Sequence, residues 1–215
     1  MSATLVIECS TPQASVAVVN GKHVVQHEFT SDRNHNAMLF EPLQELLNGH
    51  GDIERILVGS GPGSYSGTRV GIAAAQGIGL ALGCPPIAVP SILAVPAAKD
   101  GQACLAIGDA RRGSYWTSII QHQIAQQPQL CNVDELTATV SKSIGMPIFA
   151  FEEAARFPIG NLQSEITIQV PNATQLWQAW SYSSKEQQLA WQAEVAQPIY
   201  LKPPHITPSK RKPLI

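Results

Sequence analysis

Between Val70 and Ala98 the chain carries no charged residue over 29 positions. A stretch of that kind must be buried, either in a bilayer or in a protein core. A membrane-spanning helix needs about 20 unbroken apolar residues, and Gly83, Pro85, Pro86 and Pro90 interrupt this run. What remains is a globular reading: an apolar helix, a turn and a buried strand, with no membrane partner. Charge is scarce throughout, at 14% of 215 residues, where soluble domains carry about 25%. With 44% hydrophobic residues the chain fills one large core or two small ones, and a disordered chain is excluded. Its formal net charge of -2 lacks the basic excess of a protein that grips RNA or DNA alone, because that affinity comes from neutralised phosphates.

The N-terminal residues Met1 to Glu8 contain no basic segment and reach an acidic residue before a secretory apolar core is complete, so no export signal is expected. Cys9, Cys84, Cys104 and Cys131 are scattered without Cys-x-x-Cys spacing, which points to neither a zinc site nor a disulfide framework. The expectation is a reduced, cytoplasmic protein.

Apolar runs at Thr4–Glu8 and Ala14–Val19 predict two strands, and Asn20-Gly21 is the dipeptide that best accommodates a tight hairpin turn into a third, Lys22–Phe29. Met38, Leu39, Leu43, Leu46 and Leu47 recur at helical spacing, with Asn48-Gly49 as a stop. Ile56–Val58 reads as a buried strand, Gly59–Gly67 as a loop, Thr68–Leu82 as a helix and Pro86–Val89 as a strand. Hairpins followed by helix–strand alternation predict a mixed sheet covered by helices. A second unit begins near Gln102, with a strand pair at Ala103–Ile107 and Ser114–Ile120 around the turn Asp109–Gly113. Beyond it the sequence is Gln-rich and weakly periodic. No repeat of 20 to 50 residues is visible.

The loop Gly59-Ser60-Gly61-Pro62-Gly63-Ser64-Tyr65-Ser66-Gly67 feeds a helix N-terminus, where free N–H groups attract anions. Its spacing matches neither a dinucleotide fingerprint nor a Walker loop, and Tyr65 stands where a nucleophile elbow needs serine. Phosphate binding and a purely structural turn both remain open. The helix Thr68–Leu82 has no polar face, so it is either buried in its own domain or covered by a partner; Gly71, Ala75 and Gly79 line one small-residue groove.

His23 and His27 lie on a predicted strand, about 13 Å apart, too far to share a metal. The turn Asp109-Ala110-Arg111-Arg112-Gly113 offers two guanidinium groups to an anion or RNA, or is a solvated hairpin tip with a local ion pair. Pro198–Pro204 should be extended, and Lys210, Arg211 and Lys212 make a basic tail.

Three motifs stand in order: Gly61-Pro62-Gly63-Ser64-Tyr65-Ser66-Gly67 with Arg69, then Asp109-Ala110-Arg111-Arg112-Gly113, then Pro198-Ile199-Tyr200-Leu201. Together they resemble the bacterial TsaB (YeaZ) family. Its members carry a Gly-Pro-Gly-Ser-Phe/Tyr-Thr/Ser-Gly loop before an Arg-bearing helix, an Asp-Ala-Arg-Arg-Gly turn and a closing Pro-x-Tyr-Leu-Arg/Lys segment. The resemblance is strong from Thr4 to Tyr115 and weak from Gln121 to Ala196.

The resemblance implies an α/β, actin-like (hexokinase-like, ASKHA) fold of two related domains with mixed sheets, placed at residues 1–101 and 102–215. It implies a non-catalytic subunit in the making of threonylcarbamoyladenosine, next to the anticodon of tRNAs that read codons beginning with A. Such a subunit heterodimerises with the paralogous transferase TsaD, is joined by the ATPase TsaE, meets tRNA through the complex, and pairs with itself when alone. ATP or ADP and metal then belong to the partner subunits, and this chain has no cofactor, metal ligand or catalytic residue of its own.

Docking is expected through the helices His35–Leu47 and Thr68–Leu82, at Met38, Leu39, Leu43, Leu46, Gly71, Ala74, Ala75, Ile78 and Gly79. Glu8, Ser10, Thr11, Gly61, Gly63, Ser64, Gly67 and Arg69 form a degenerate nucleotide or phosphate loop, because Glu8-Cys9-Ser10-Thr11 stands where the family usually has Asp-Thr-Ser-Thr. Arg111, Arg112, Lys210, Arg211 and Lys212 are the candidate anion or RNA contacts. Two other classes compete: an independent actin-like phosphotransferase using Glu8 and the Gly loop, and a glycoprotease-like metallopeptidase. TsaD has a helical His-x-x-x-His, whereas His35 is followed four positions on by Leu39, which disfavours the latter.

Overall fold

The computed structural model describes residues 3–30, 35–50, 52–99 and 101–202. Its first sheet contains β1 (Ala3–Glu8), β2 (Gln13–Asn20), β3 (His23–Thr30), β4 (Ile53–Gly59) and β5 (Ile87–Val89) in the order β3-β2-β1-β4-β5. The hairpin strands are antiparallel, while β1, β4 and β5 run parallel. Asn20 pairs with His23 across the tight turn, where Gly21 takes φ 61°. Two helices follow the sequence pattern: α1 (His35–Gly49) and α2 (Tyr65–Leu82).

The second sheet contains β6 (Cys104–Asp109), β7 (Tyr115–Gln121), β8 (Ile124–Ala125), β9 (Gln129–Cys131), β10 (Ile148–Ala150) and β11 (Ile166–Ile168). Its order is β11-β10-β6-β7-β8, with β9 also paired to β7. Strand β6 is antiparallel to β7 and parallel to β10, and β10 is parallel to β11. Each sheet thus has a central strand with an antiparallel hairpin on one side and two parallel strands on the other. This is the duplicated actin-like α/β unit with mixed sheets. The repeat is one of topology, which is why no period shows in the residues.

Three cores stack through the molecule. On the outer face of the first sheet, Leu5, Ile7, Val16 and Val58 meet Leu39, Leu43 and Leu46 of α1 and Ile72 and Ala75 of α2. On its inner face, Val6, Ala17, Leu57 and Val89 meet Trp116, Ile120 and Phe149 of the second sheet. The third core lies on the far side of the second sheet, where Leu105, Ile107 and Phe157 pack on Leu136 and Val140 of α4 (Val133–Lys142). Successive β1 residues point to opposite faces, and with both faces covered all six are buried.

The central layer also holds α5 (Ala173–Tyr182) and α6 (Lys185–Ala193), which supply Leu176, Trp180 and Trp191. Although they follow the second sheet in sequence, α5 packs on β1, β2 and β4, and α6 packs on β5. The sheet has two faces to cover, and α1 and α2 cover only one. A cut between residues 101 and 102 therefore separates the two sheets but not the shared core.

Helix α2 starts at Tyr65 rather than Thr68, because Ser64 caps it: its Oγ accepts from Gly67 N–H at 3.2 Å. Gly83, at φ 65°, ends it. The uncharged run continues through β5, a 3-10 turn at Ser91–Leu93 and α3 (Pro96–Lys99). Among the described residues, no helix is long and apolar enough to cross a membrane. The Gln-rich region resolves into short elements. Helix α4 is fixed by a reciprocal cap: Asn132 Oδ1 accepts from Glu135 N–H at 3.0 Å, and Glu135 Oε2 accepts from Asn132 N–H at 2.9 Å.

Candidate functional site

The Gly loop lies directly on the turn that follows β1. A Cβ at Gly63 would overlap the Ser10 carbonyl oxygen, and one at Gly67 would overlap the Cys9 carbonyl oxygen. The glycines are needed for this close approach of backbone to backbone. Three loop donors are bonded within the chain: Ser60 N–H to Val89 O at 2.9 Å, Gly61 N–H to Ser91 Oγ at 3.0 Å, Ser64 N–H to Ser10 O at 2.6 Å. Thr68 N–H bonds Ser64 O at 3.0 Å, and Thr11 Oγ1 donates to Gln13 O at 2.6 Å.

A phosphate cradle presents free N–H groups to solvent. Here the Ser10 and Cys9 carbonyl oxygens lie against Gly63 and Gly67, and this close approach holds the loop and the start of α2 against the first sheet.

Glu8 is fully buried; its Oε1 accepts from Ser10 N–H at 2.7 Å, while Oε2 has no hydrogen-bond partner. Burial raises its carboxyl above the ordinary carboxylate range, against a smaller lowering by its polar neighbours Ser10 and Ser91. Ser10 Oγ and Thr68 Oγ1 beside it are likewise buried without a partner. Burial, reinforced by the Glu8 charge, also pushes the Cys9 thiol up.

The third motif returns to the first as a strap. Gln76 Nε2 donates to Ala196 O at 3.0 Å, and Ile199 N–H donates to Ser60 O at 2.9 Å. The Tyr65 and Tyr200 rings lie 6.0 Å apart, and the Arg69 guanidinium sits over the Tyr65 ring at 5.1 Å while donating to its hydroxyl at 2.9 Å. Lys202 Nζ then donates to Ala110 O and Arg111 O, both at 3.2 Å. All three sequence motifs meet here. Strap and α2 enclose a groove of about 650 Å³, lined by Tyr65, Arg69, Ala73, Gln76, Val195 and Tyr200.

In the second motif, Arg111, Arg112 and Gly113 take φ 65°, 58° and 70°, a left-handed run that non-glycine residues rarely adopt. Asp109 supports it: Oδ1 accepts from Arg111 N–H at 2.7 Å, and Oδ2 lies 3.2 Å from Arg111 Nη1 and 3.6 Å from Arg156 Nη1. Burial raises the carboxyl of Glu152 nearby, and the Asp109 charge adds to it, against Arg111 and Arg156. Arg111 is thus engaged with Asp109, while Arg112 is exposed. Lys210, Arg211 and Lys212 lie outside the described residues.

The docking expectation needs a correction. Leu39, Leu43 and Leu46 are 1–2% exposed and Ala75 is 0% exposed, all within the outer core. Gly71 packs on Ile7 and Cys9, and Gly79 on Cys84 and Pro86. Helical spacing identified the stripe facing the protein's own sheet, since an amphipathic helix buries its apolar phase first. Ala74 and Ile78 are half-buried against the same core. What faces outward is Met38 and Phe40 on α1, and Ala73, Gly77, Leu80 and Ala81 on α2, with Leu80 87% exposed. Phe40, Gly77 and Leu80 were missed, although the two large apolar ones stand out of phase with the buried stripe.

His23 and His27 lie on β3, as the hairpin predicts. Among the described residues no group of three His, Cys, Asp or Glu side chains is arranged to hold a metal.

Fold and site define a class: a two-sheet actin-like protein whose glycine loop is closed on its own first turn. The family model described as "TsaD: tRNA N6-adenosine threonylcarbamoyltransferase" matches residues 23–205, and the chain belongs to this family, on its TsaB (YeaZ) side. The tRNA threonylcarbamoyladenosine biosynthesis protein TsaB of Escherichia coli is 35% identical over 121 residues, which are 52% of this chain and 52% of that protein. TsaB of Bacillus subtilis is 30% identical over 126 residues, 55% of each chain. The chain thus spans about half the length of the curated relatives it matches. A solved structure, YeaZ from Pseudomonas aeruginosa, covers 94% of this chain and 100% of its own with a TM-score of 0.68 at 24% identity. That likeness is one of fold.

Proposed function

We propose that this chain is a TsaB-type, non-catalytic subunit required for threonylcarbamoyl transfer to the adenosine next to the anticodon of tRNAs that read codons beginning with A. It acts in the cytoplasm by heterodimerising with a TsaD-like transferase, with a TsaE-like ATPase joining. It meets tRNA through that complex and pairs with itself when the transferase is absent. ATP or ADP and metal are carried by the partner subunits.

The observation that carries this reading is the seating of Gly63 and Gly67 on the carbonyls of Ser10 and Cys9. A loop packed glycine to carbonyl on its own first turn, with its nearest carboxyl buried, supports an architectural role over phosphate transfer. It supports α2, whose outward face, from Ala73 to Ala81, offers small and apolar residues for close packing by another helix. The docking residues under this reading are Met38, Phe40, Ala73, Gly77 and Leu80.

The test is reconstitution with a TsaD-like transferase, a TsaE-like ATPase, threonylcarbamoyl-adenylate and tRNA, read by mass spectrometry of the nucleosides. Modification should appear only when this chain is present together with the transferase. Modification by the transferase without this chain, or by this chain alone, overturns the reading.

A further inference from the structure

Helix α5 follows the second sheet in sequence, yet its N-terminus is closed by the first. Three of its leading N–H groups are bonded to side chains. Asn172 Oδ1 accepts that of Gln175 at 2.9 Å, an ordinary cap from within the same segment. The other two go to the β2–β3 hairpin. Ala173 N–H donates to Ser15 Oγ at 2.8 Å, across 158 positions of sequence, and Thr174 N–H donates to Gln26 Oε1 at 2.9 Å, across 148. The Thr174 hydroxyl donates to the same oxygen, and Gln26 Nε2 donates to Glu28 Oε1 at 2.7 Å, so the Gln26 amide is held at both ends. Ser15 is 1% exposed and Ala173 0%. Any shift of α5 along the hairpin leaves a buried donor unpaired.

Packing continues what the caps begin. Leu176 and Trp180 enter the core that both sheets line, together with Trp116, Ile120 and Phe149, and the Arg55 guanidinium of β4 sits 5.7 Å from the Trp180 ring. The two segments that cross between the sheets are tied to each other: Ala97 N–H, on the outgoing link, donates to Gln169 Oε1, on the returning one, at 3.0 Å. Only residues 169–172 separate α5 from β11. We propose that α5 is a latch, fastened to the first sheet by Ser15 and Gln26, that makes the two sheets one cooperative body rather than two lobes that swing or unfold separately. The latch is independent of the partner role proposed above.

Native-state hydrogen exchange of the full chain, followed by NMR through low concentrations of denaturant, resolves the units that open together. Amides inside α5, in β1 and in β6 should converge on one opening reaction, the global one. Ser15→Ala removes one cap and Gln26→Met, at a half-buried position, removes the other. In either variant exchange should accelerate roughly tenfold, the effect of one lost hydrogen bond with its donor left buried, and by the same factor in β1, α5 and β6, although neither residue belongs to the second sheet. The parent measurement needs no variant to fold. In the parent, β6 exchanging through a smaller opening than β1 overturns the latch; so does β6 keeping its parent rate in a folded variant.

Discussion

Ile199 donates its backbone N–H to the carbonyl oxygen of Ser60 at 2.9 Å, which fastens the closing Pro198–Leu201 segment to the second residue of the Gly loop. Three residues on, Lys202 reaches the carbonyls of Ala110 and Arg111. One short strap thereby ties α2, the loop and the turn of the second sheet into a single unit.

Replacing Lys202 with Met should release the turn at Arg111–Gly113. The lost hydrogen bonds are partly exposed, so the expected cost is modest, about 0.5–1.5 kcal/mol, or roughly 2–4 °C in Tm per kcal/mol for a chain of this size. Hydrogen exchange is the sharper readout: protection at Arg111 and Ser114 should fall while that of β6 is kept. Unchanged exchange at the turn means the strap does not hold it.

Two glycines on one helix should respond in opposite directions. Gly67→Ala places a Cβ on the Cys9 carbonyl and should destabilise by about 1–3 kcal/mol. Gly77→Ala meets nothing within 4 Å and should stabilise by about 0.5–1 kcal/mol through helix propensity. Denaturant unfolding of both variants checks the contrast, and equal shifts refute the close packing of the loop.

Glu8 sets a pH dependence of definite sign. Its folded-state pKa lies above the ordinary value of 4.5 because burial penalises the charge. Between those two values the folded chain binds more protons than the unfolded one. The stability this group contributes is therefore present in full below about 4.5 and lost as pH rises through the raised value. Glu8→Gln keeps the acceptor for Ser10 N–H and cannot ionise. Its melting temperature relative to the parent should rise as pH increases above about 4.5; calorimetry that finds a constant difference contradicts a raised Glu8 pKa.

Partner docking should be lost through the outward face alone. Leu80→Arg, at a position 87% exposed, should leave the folding stability within about 0.5 kcal/mol of the parent and abolish co-purification with the transferase subunit. Ala75→Arg is no test of docking: at 0% exposure it forces a charge into the outer core and unfolds the chain. Retained binding by Leu80→Arg with a native melting curve moves the interface elsewhere.

What the residues determined by themselves was local and ordinal. Asn20-Gly21 announced the first hairpin, the leucines at helical spacing announced α1, and three motifs in order announced the family, because each rests on neighbours in sequence. Tertiary structure decided which side of each helix is free. Leu39, Leu43, Leu46 and Ala75 carry the periodicity of a docking stripe, and that periodicity is the same whether the covering surface is a partner or the chain's own sheet. The packing of the Gly loop was decided the same way. Glycine permits close approach to the backbone from any partner, and only the tertiary position of Cys9 and Ser10 puts their carbonyls against Gly67 and Gly63. The meeting of Ser60 with Ile199, and of Lys202 with the Arg111 turn, lay furthest from reach, since contacts between distant segments leave no period in the residues that make them.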